Sequence, residues 1–328
     1  MNPYTGNTFF EFFQTCFLRL GQFFSDPIAY TVCSDELQML VLFCVSISSS
    51  LVGTFLVLRR VTMLANAISH TILPGVVLAF ILYETFYLQS DVFDFSHLLP
   101  SEWLLIVCGL FMAFLTTFLC EFFVKYLKIA EDASTGLVFT FLFAFGIIVV
   151  TMLSKNAHIG AELLLGNVDA LSTRDFQFSL WICILNALIC CVFFRGFFIT
   201  TFDPVFSKVL DFSPVFFGYL LMGQLAITAI GAFRSVGVLL FLAFLVYPPL
   251  IARMYTDCLK RLIFIGVSVC ILSSFIAVAF SRHLLSQYDL PVATQGLVVV
   301  VLVIVFSLSF FWKYFIKEKN IFRKLGRI

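Results

Sequence analysis

Charge is what this chain of 328 residues has least of. Lys and Arg number 20 and Asp and Glu 19, so charged residues make up 12% of the whole. A soluble domain carries about a quarter. With 61% hydrophobic residues, a soluble fold of this length could not bury its apolar surface, whereas lipid can take the place of a core. The composition therefore points to an all-helical integral membrane protein. A net charge of +1 gives no basis for nucleic-acid binding. Also missing are any C-x-x-C pair of zinc or redox spacing and any G-x-x-x-x-G-K-[ST] loop, and no Gly-Lys pair occurs at all. ATP cannot be cradled here by a P-loop. The ten cysteines lie mostly inside apolar runs, where a thiol behaves as a small hydrophobe. Only Cys16 and Cys33 fall where a disulfide could be considered. The N-terminus has neither a basic n-region nor a small-residue cleavage site, so export is expected to depend on the spans themselves.

What is there is apolar sequence in blocks. Nine segments of spanning or near-spanning length run at about 37–58, 64–83, 103–124, 134–153, 176–194, 214–233, 235–252, 262–281 and 292–312. The sixth and seventh are separated only by Phe233-Arg234, which leaves the count at eight or nine. Basic residues orient them. Arg59, Arg60, Lys125, Lys128, Arg195, Lys208, Arg253, Lys260, Arg261 and the six from Lys313 to Arg327 fall on one side, fifteen of the 20. Arg19, Lys155, Arg174, Arg234 and Arg282 remain on the other. The positive-inside rule then places the C-terminus in the cytoplasm and, with nine spans, the N-terminus outside. Three regions follow: an N-terminal segment over 1–36, a membrane domain over 37–312 and a basic cytoplasmic tail over 313–328. Seven phenylalanines between Phe9 and Phe24 suggest an interfacial helix. Ser46, Ser50 and Thr54 in the first span, and Gly266, Cys270 and Ser274 in the eighth, form small-residue faces suited to close helix packing.

The stretch 59–75, RRVTMLANAISHTILPG, carries the chemistry. Thr62, Asn66, His70 and Pro74 recur every fourth residue and share one helix face. His70 lies ten residues beyond Arg60, or ~15 Å along a helix, which is about half of a hydrocarbon core. An ionisable side chain at that depth is costly and by default a functional candidate. Pro74 lacks an N–H and frees the carbonyl of His70 itself, so imidazole, carbonyl and the Asn66 amide oxygen could converge on a metal ion. The plainer reading is a histidine bonded to a neighbouring helix beside a simple kink. Pro248 and Pro249 similarly free the carbonyls of Phe244 and Leu245, either as a packing kink or as a break of the kind that lines a transport path.

Six stretches in order resemble the ABC-3 permeases, the membrane subunits of bacterial zinc, manganese and iron importers. LRRVTMLANAISHTILPGV resembles the family's Arg-Arg, Asp-Ala-x-Ser-His and Leu-Pro-Gly signature, and EDASTGLVFTFLFAFGI its Glu-Asp-Ala-x-x-Gly-x-x-Phe segment. ELLLGNVDALSTRDF is similar to its Phe-Gly-(Asp/Asn) loop, and TFDPVFSKVL to its Phe-Asp-Pro element. FRSVGVLLFLAFLVYPPLIAR resembles the Val-Gly…Leu-x-x-Pro-Ala-Ala helix, and YDLPVATQGLVVVV the entry to the last span.

The resemblance implies a permease in the bacterial plasma membrane, paired with a second copy or a paralogue. Two cytoplasmic ATPase subunits would energise it and an extracytoplasmic metal-binding protein would feed it. It implies no catalysis by this chain and no permanently bound cofactor, the manganese, zinc or iron ion being cargo. His70 and Asn66 match the metal transit site, although Asn66 stands where the family usually has Asp. Phe202, Asp203, Pro204 and Ser207 match the element that docks the ATPase, expected as a short helix over 203–210 with Pro204 in its first turn. There the family prefers Ala and Gly where this chain has Ser207 and Asp211. His158 and Glu162, four residues apart at the outer end of the fourth span, are candidates to meet the binding protein or the entering metal, with capping and solvation as competing roles. His97, beside Asp91 and Asp94, reads as part of a solvated acidic loop. An ion-coupled secondary transporter is the alternative class, and would call for buried acids in a relay.

Overall fold

The computed structural model describes residues 4, 8–25, 33–83, 102–154, 166 and 168–325. They form twelve α-helices and one 3-10 turn at Val168–Ala170. The helices are α1 (Phe9–Ser25), α2 (Ser34–Arg59), α3 (Thr62–Tyr83), α4 (Glu102–Leu127), α5 (Glu131–Ser154) and α6 (Thr173–Val192). They continue with α7 (Phe194–Phe202), α8 (Pro204–Val209), α9 (Pro214–Ser235), α10 (Val238–Tyr255), α11 (Leu259–Tyr288) and α12 (Thr294–Leu325). Nine of them, all but α1, α7 and α8, are long and apolar enough to cross a membrane. Each coincides with one expected segment. The sixth and seventh are separate helices joined through Val236 and Gly237, the latter at φ +83°, a backbone that glycine adopts without strain. The 30 residues of α11 span ~45 Å, well beyond a hydrocarbon core of about 30 Å. Its length therefore exceeds what a hydrocarbon core requires.

Helix α2 is the axis of the molecule, packed by α6, α9, α10 and α11. Its small polar residues are what let the neighbours approach. Ser46, Ser50 and Thr54 are fully buried, as are Cys270 and Ser274 on α11, so the two small-residue faces do meet. A Cβ on Gly266 would stand 2.9 Å from Ser50 Oγ. Thr54 Oγ1 returns its proton to the Ser50 carbonyl at 2.8 Å, which spares the bundle an unpaired hydroxyl.

One turn further along α2 comes a still closer approach to backbone. A Cβ added to Gly53 would lie 2.1 Å from the carbonyl oxygen of Leu245 on α10. That is the oxygen Pro249 deprives of its helical donor. Of the two readings of Pro248 and Pro249, the structure shows no open break: α10 runs from Val238 to Tyr255 with both prolines inside it. The reason is that neighbouring backbone covers the freed carbonyl, so the helix has no need to open.

A second group, α3 with α4 and α5, leans on this core through α9. Thr71 and Thr116 share a hydrogen bond of 2.8 Å between α3 and α4, and Ser134 Oγ on α5 donates to the Cys120 carbonyl on α4 at 2.9 Å. The least buried spans are α5 and α12. The N-terminal helix α1 packs one side on α11, with Phe12 and Phe13 against Phe275 at 6.3 and 5.0 Å, while Phe10 and Phe17 face outward. All ten cysteines are free thiols, Cys16 and Cys33 among them.

Replacing Gly53 by Ala is expected to lower stability by about 1–3 kcal/mol, the usual range for overpacking a closed contact. Thermal unfolding of the detergent-solubilised chain checks this. An unchanged midpoint would mean that α2 and α10 do not meet through Gly53.

Candidate functional site

His70 is the ninth of the 22 residues of α3, near the middle of its span. Its ring is half-buried against α5, with centroids 5.2 Å from Phe139 and 5.6 Å from Phe143, two rings that stack on each other at 5.7 Å. The helix approach is set one turn further on. A Cβ on Gly146 of α5 would lie 2.8 Å from Pro74 Cδ, so the proline ring fits only against glycine. As at Pro248, the helix stays continuous through Pro74. On its other side Gly75 admits the Cys108 carbonyl of α4, 3.1 Å from where its Cβ would be. Helix α3 is thus held on two faces, and the imidazole is held with it.

The Nδ1 atom of His70 is buried and has no hydrogen-bond partner among the described residues. A buried polar atom left unpaired costs about 1–3 kcal/mol, so in a stable fold it calls for a partner, a water or a bound ion. Asn66 lies one turn earlier on the same face, half-buried, with no side-chain hydrogen bond among the described residues. Imidazole and amide oxygen are suitable donors for a first-row transition metal. Two donors do not complete a coordination shell. Among the described residues no group of three or more His, Cys, Asp or Glu side chains could hold a metal ion. His97, His158 and Glu162 lie outside the described residues.

At the other candidate element, α8 begins as the sequence indicates. Asp203 is the N-cap, and its Oδ1 accepts from the backbone N–H of Val205 at 3.1 Å and of Phe206 at 2.9 Å. Pro204 occupies the first helical position, where its missing N–H leaves nothing unpaired. Ser207 is fully buried and donates to the Pro204 carbonyl at 2.9 Å. Asp211 closes the helix at φ +59°, a left-handed backbone that explains a preference for glycine at this place. The outward face is apolar: Val205 and Val209 are 77% and 75% exposed, with Phe202 and Phe206 beside them. The platform beneath is firm. Phe197 of α7 is buried between Phe55 and Phe217, and Arg59 donates from Nε to Thr201 Oγ1 at 3.1 Å and from Nη2 to Thr200 Oγ1 at 2.6 Å.

One constellation escaped the sequence reading. At the end of the bundle opposite α8, Asp35 and Glu36 in the first turn of α2 are 1% and 7% exposed. Arg282 of α11 pairs with Asp35, and Arg19 of α1 with Glu36, which also accepts from the Tyr4 hydroxyl at 3.0 Å. Burial and the Glu36 carboxylate push the Tyr4 phenol far above its ordinary range, so it stays a donor. Beside them Asp169 Oδ1 accepts from Gln38 Nε2 at 2.9 Å and Thr294 Oγ1 at 2.6 Å, tying the 3-10 turn to α2 and α12. The available signal was two acids opening an apolar run, facing two of the few basic residues assigned outside.

Comparison with known proteins adds the following. The family described as "ABC 3 transport family" matches residues 37–313. A Chlamydia pneumoniae protein named "Probable metal transport system membrane protein" is 38% identical over 324 residues, covering 97% of this chain and 95% of that protein. A manganese transport system membrane protein, MntC of Halalkalibacterium halodurans, is 28% identical over 90% of this chain and 91% of its own length. Among solved structures, PsaBC from Streptococcus pneumoniae in complex with Fab superposes with a TM-score of 0.72 at 24% identity, over 92% of this chain and 100% of that one. That likeness concerns the fold.

Asp203→Ala is expected to destabilise α8 by about 1 kcal/mol through loss of its cap, and Asp203→Asn by much less. Hydrogen exchange at residues 204–210 reads this directly, and equal exchange in all three chains would contradict the capping role.

Proposed function

The chain belongs to the ABC 3 transport family, and from that membership we propose that it is the membrane permease of an ATP-driven importer of divalent transition-metal ions. Manganese is the first candidate, because relatives named for manganese transport align over most of the chain. The observation that carries the reading at the level of residues is the buried, unpartnered Nδ1 of His70 on the same face as Asn66, at mid-span. Such a pair binds a dication loosely, as a transit site requires. A neutral amide adds no counter-charge, so additional ligands come from a second permease chain, a copy or a paralogue.

Energy enters elsewhere. The sequence has no P-loop, and the exposed apolar face of α8, stiffened by Asp203 and Pro204, is suited to receive a cytoplasmic ATPase. The metal arrives from an extracytoplasmic binding protein. The excess of basic residues at the α8 end of the bundle supports a cytoplasmic position for that end and for the C-terminus. Ion-coupled transport is the less supported alternative. Among the described residues the buried acids Asp35 and Glu36 sit at the outer helix ends in ion pairs, and Glu121 accepts from Tyr219 at 2.9 Å near the inner end of α4. None forms a mid-span relay.

In cells expressing the whole importer, His70→Ala is expected to reduce uptake of radiolabelled manganese by about tenfold or more, while Asn66→Asp raises apparent affinity by adding charge. Unchanged uptake by a normally assembled His70→Ala importer would remove the imidazole from the pathway.

A further inference from the structure

Between α7 and the turn joining α10 to α11 lies a groove of about 670 Å³ at the end of the bundle assigned to the cytoplasm. Its walls are of two kinds. Phe194, Phe198 and Phe202 line one side, the last two 44% and 54% exposed. Lys260 and Arg261 come from the start of α11, Arg195 stands beside Phe194 on α7, and all three cations are exposed. None of these cations makes an ion pair or a side-chain hydrogen bond among the described residues. Asp257 shares the rim but pairs with none of them, so the groove keeps a net positive charge. Cys258, the N-cap of α11, supplies no side-chain cap, which leaves the first-turn N–H groups of a 30-residue helix directed toward the same rim.

We infer that this groove binds one anionic phospholipid of the inner leaflet, its phosphate held by Arg195, Lys260 and Arg261 and an acyl chain laid on the three phenylalanines. Depth favours a lipid. The groove sits where α6 ends at Val192 and α11 begins at Leu259, the level at which spanning helices leave the hydrocarbon and meet headgroups. Its phenyl wall belongs to the helix that immediately follows α6, so one occupant can touch charge below and apolar surface beside it. A protein partner is less suited, because Phe202 alone is shared with the apolar face proposed as the ATPase contact and no residue of α8 lines the groove. The inference rests on the inward orientation proposed above. Its readouts involve no metal, so its failure can be told from failure of the transport reading.

The test is native mass spectrometry of the full-length chain titrated with phosphatidylglycerol, phosphatidylcholine or glycerol phosphate. One tightly retained phosphatidylglycerol is expected, about fivefold favoured over phosphatidylcholine, a preference worth about 1 kcal/mol. Glycerol phosphate should bind far more weakly, and the triple variant Arg195→Gln/Lys260→Gln/Arg261→Gln should lose the preference. In the unaltered chain, alkylation of the exposed Cys258 should slow about fivefold with phosphatidylglycerol and stay constant with phosphatidylcholine or inorganic phosphate; this arm decides the matter if the triple variant misfolds. Equal retention of both lipids with unprotected Cys258 overturns the proposal. So does a triple variant that keeps its lipid and loses a co-expressed ATPase, which would make the groove a protein interface. Protection by inorganic phosphate alone would reassign it to a soluble phosphoester.

Discussion

Pro249 leaves the Leu245 carbonyl without a donor inside a helix that crosses hydrocarbon, and the packing around α2 follows from how that oxygen is covered. Water is absent at this depth, so the oxygen must be met by protein. Gly53 meets it. Only a hydrogen stands where a side chain would begin 2.1 Å from the oxygen, so the Cα–H of Gly53 faces the carbonyl, a contact of about 0.5–1 kcal/mol in geometry that recurs between close helices. Three residues earlier Ser50 reaches Gly266 of α11, and the Pro248 carbonyl lies 3.7 Å from where the Gly266 Cβ would be. Helices α2, α10 and α11 therefore close on one another through a serine, two glycines and two prolines. Bulk at any of these positions would force the axis apart.

The same device recurs at the candidate metal site. Pro74 sits inside α3, and the neighbouring helix again offers a glycine, Gly146, against the ring. Here the consequence is chemical. Drawing α5 onto Pro74 brings Phe143 and Phe139, one and two turns earlier on α5, over the imidazole one turn earlier on α3. The aromatic contact fixes where the ring lies, and the tight interface shuts water away from Nδ1 on that side. His70 is thereby positioned by residues that have no ligand character of their own. This is the kind of packed support that a weak metal site needs if two donors are to be presented together.

Much of this was legible in the chain. The spans and the start of α8 are local features, set by runs of apolar residues and by Asp203 next to Pro204, whereas the count stayed at eight or nine because the turn between the sixth and seventh spans is only two residues long. The mid-span position of His70 follows from counting along one helix. The response to the prolines was not legible, because whether a helix breaks at Pro248 depends on what another helix places opposite the freed carbonyl. Gly53 is 192 positions from Leu245, and nothing in either segment announces the other. The outer ion pairs were hidden for the same reason, Arg282 and Asp35 being 247 residues apart.

Those pairs also alter how the charge asymmetry reads. Five basic residues assigned outside weaken the orientation signal, yet Arg19 and Arg282 are each matched by an acid in the first turn of α2. A cation neutralised in this way adds little to the bias, which is carried by basic residues free to resist translocation. Asp35 and Glu36 gain as well, since a helix N-terminus favours negative charge. The cost falls on separation. Pulling α11 or α1 away from α2 would leave a buried carboxylate uncompensated, typically a loss of about 3–5 kcal/mol. These ends of α1, α2 and α11 are thus constrained to move as one body.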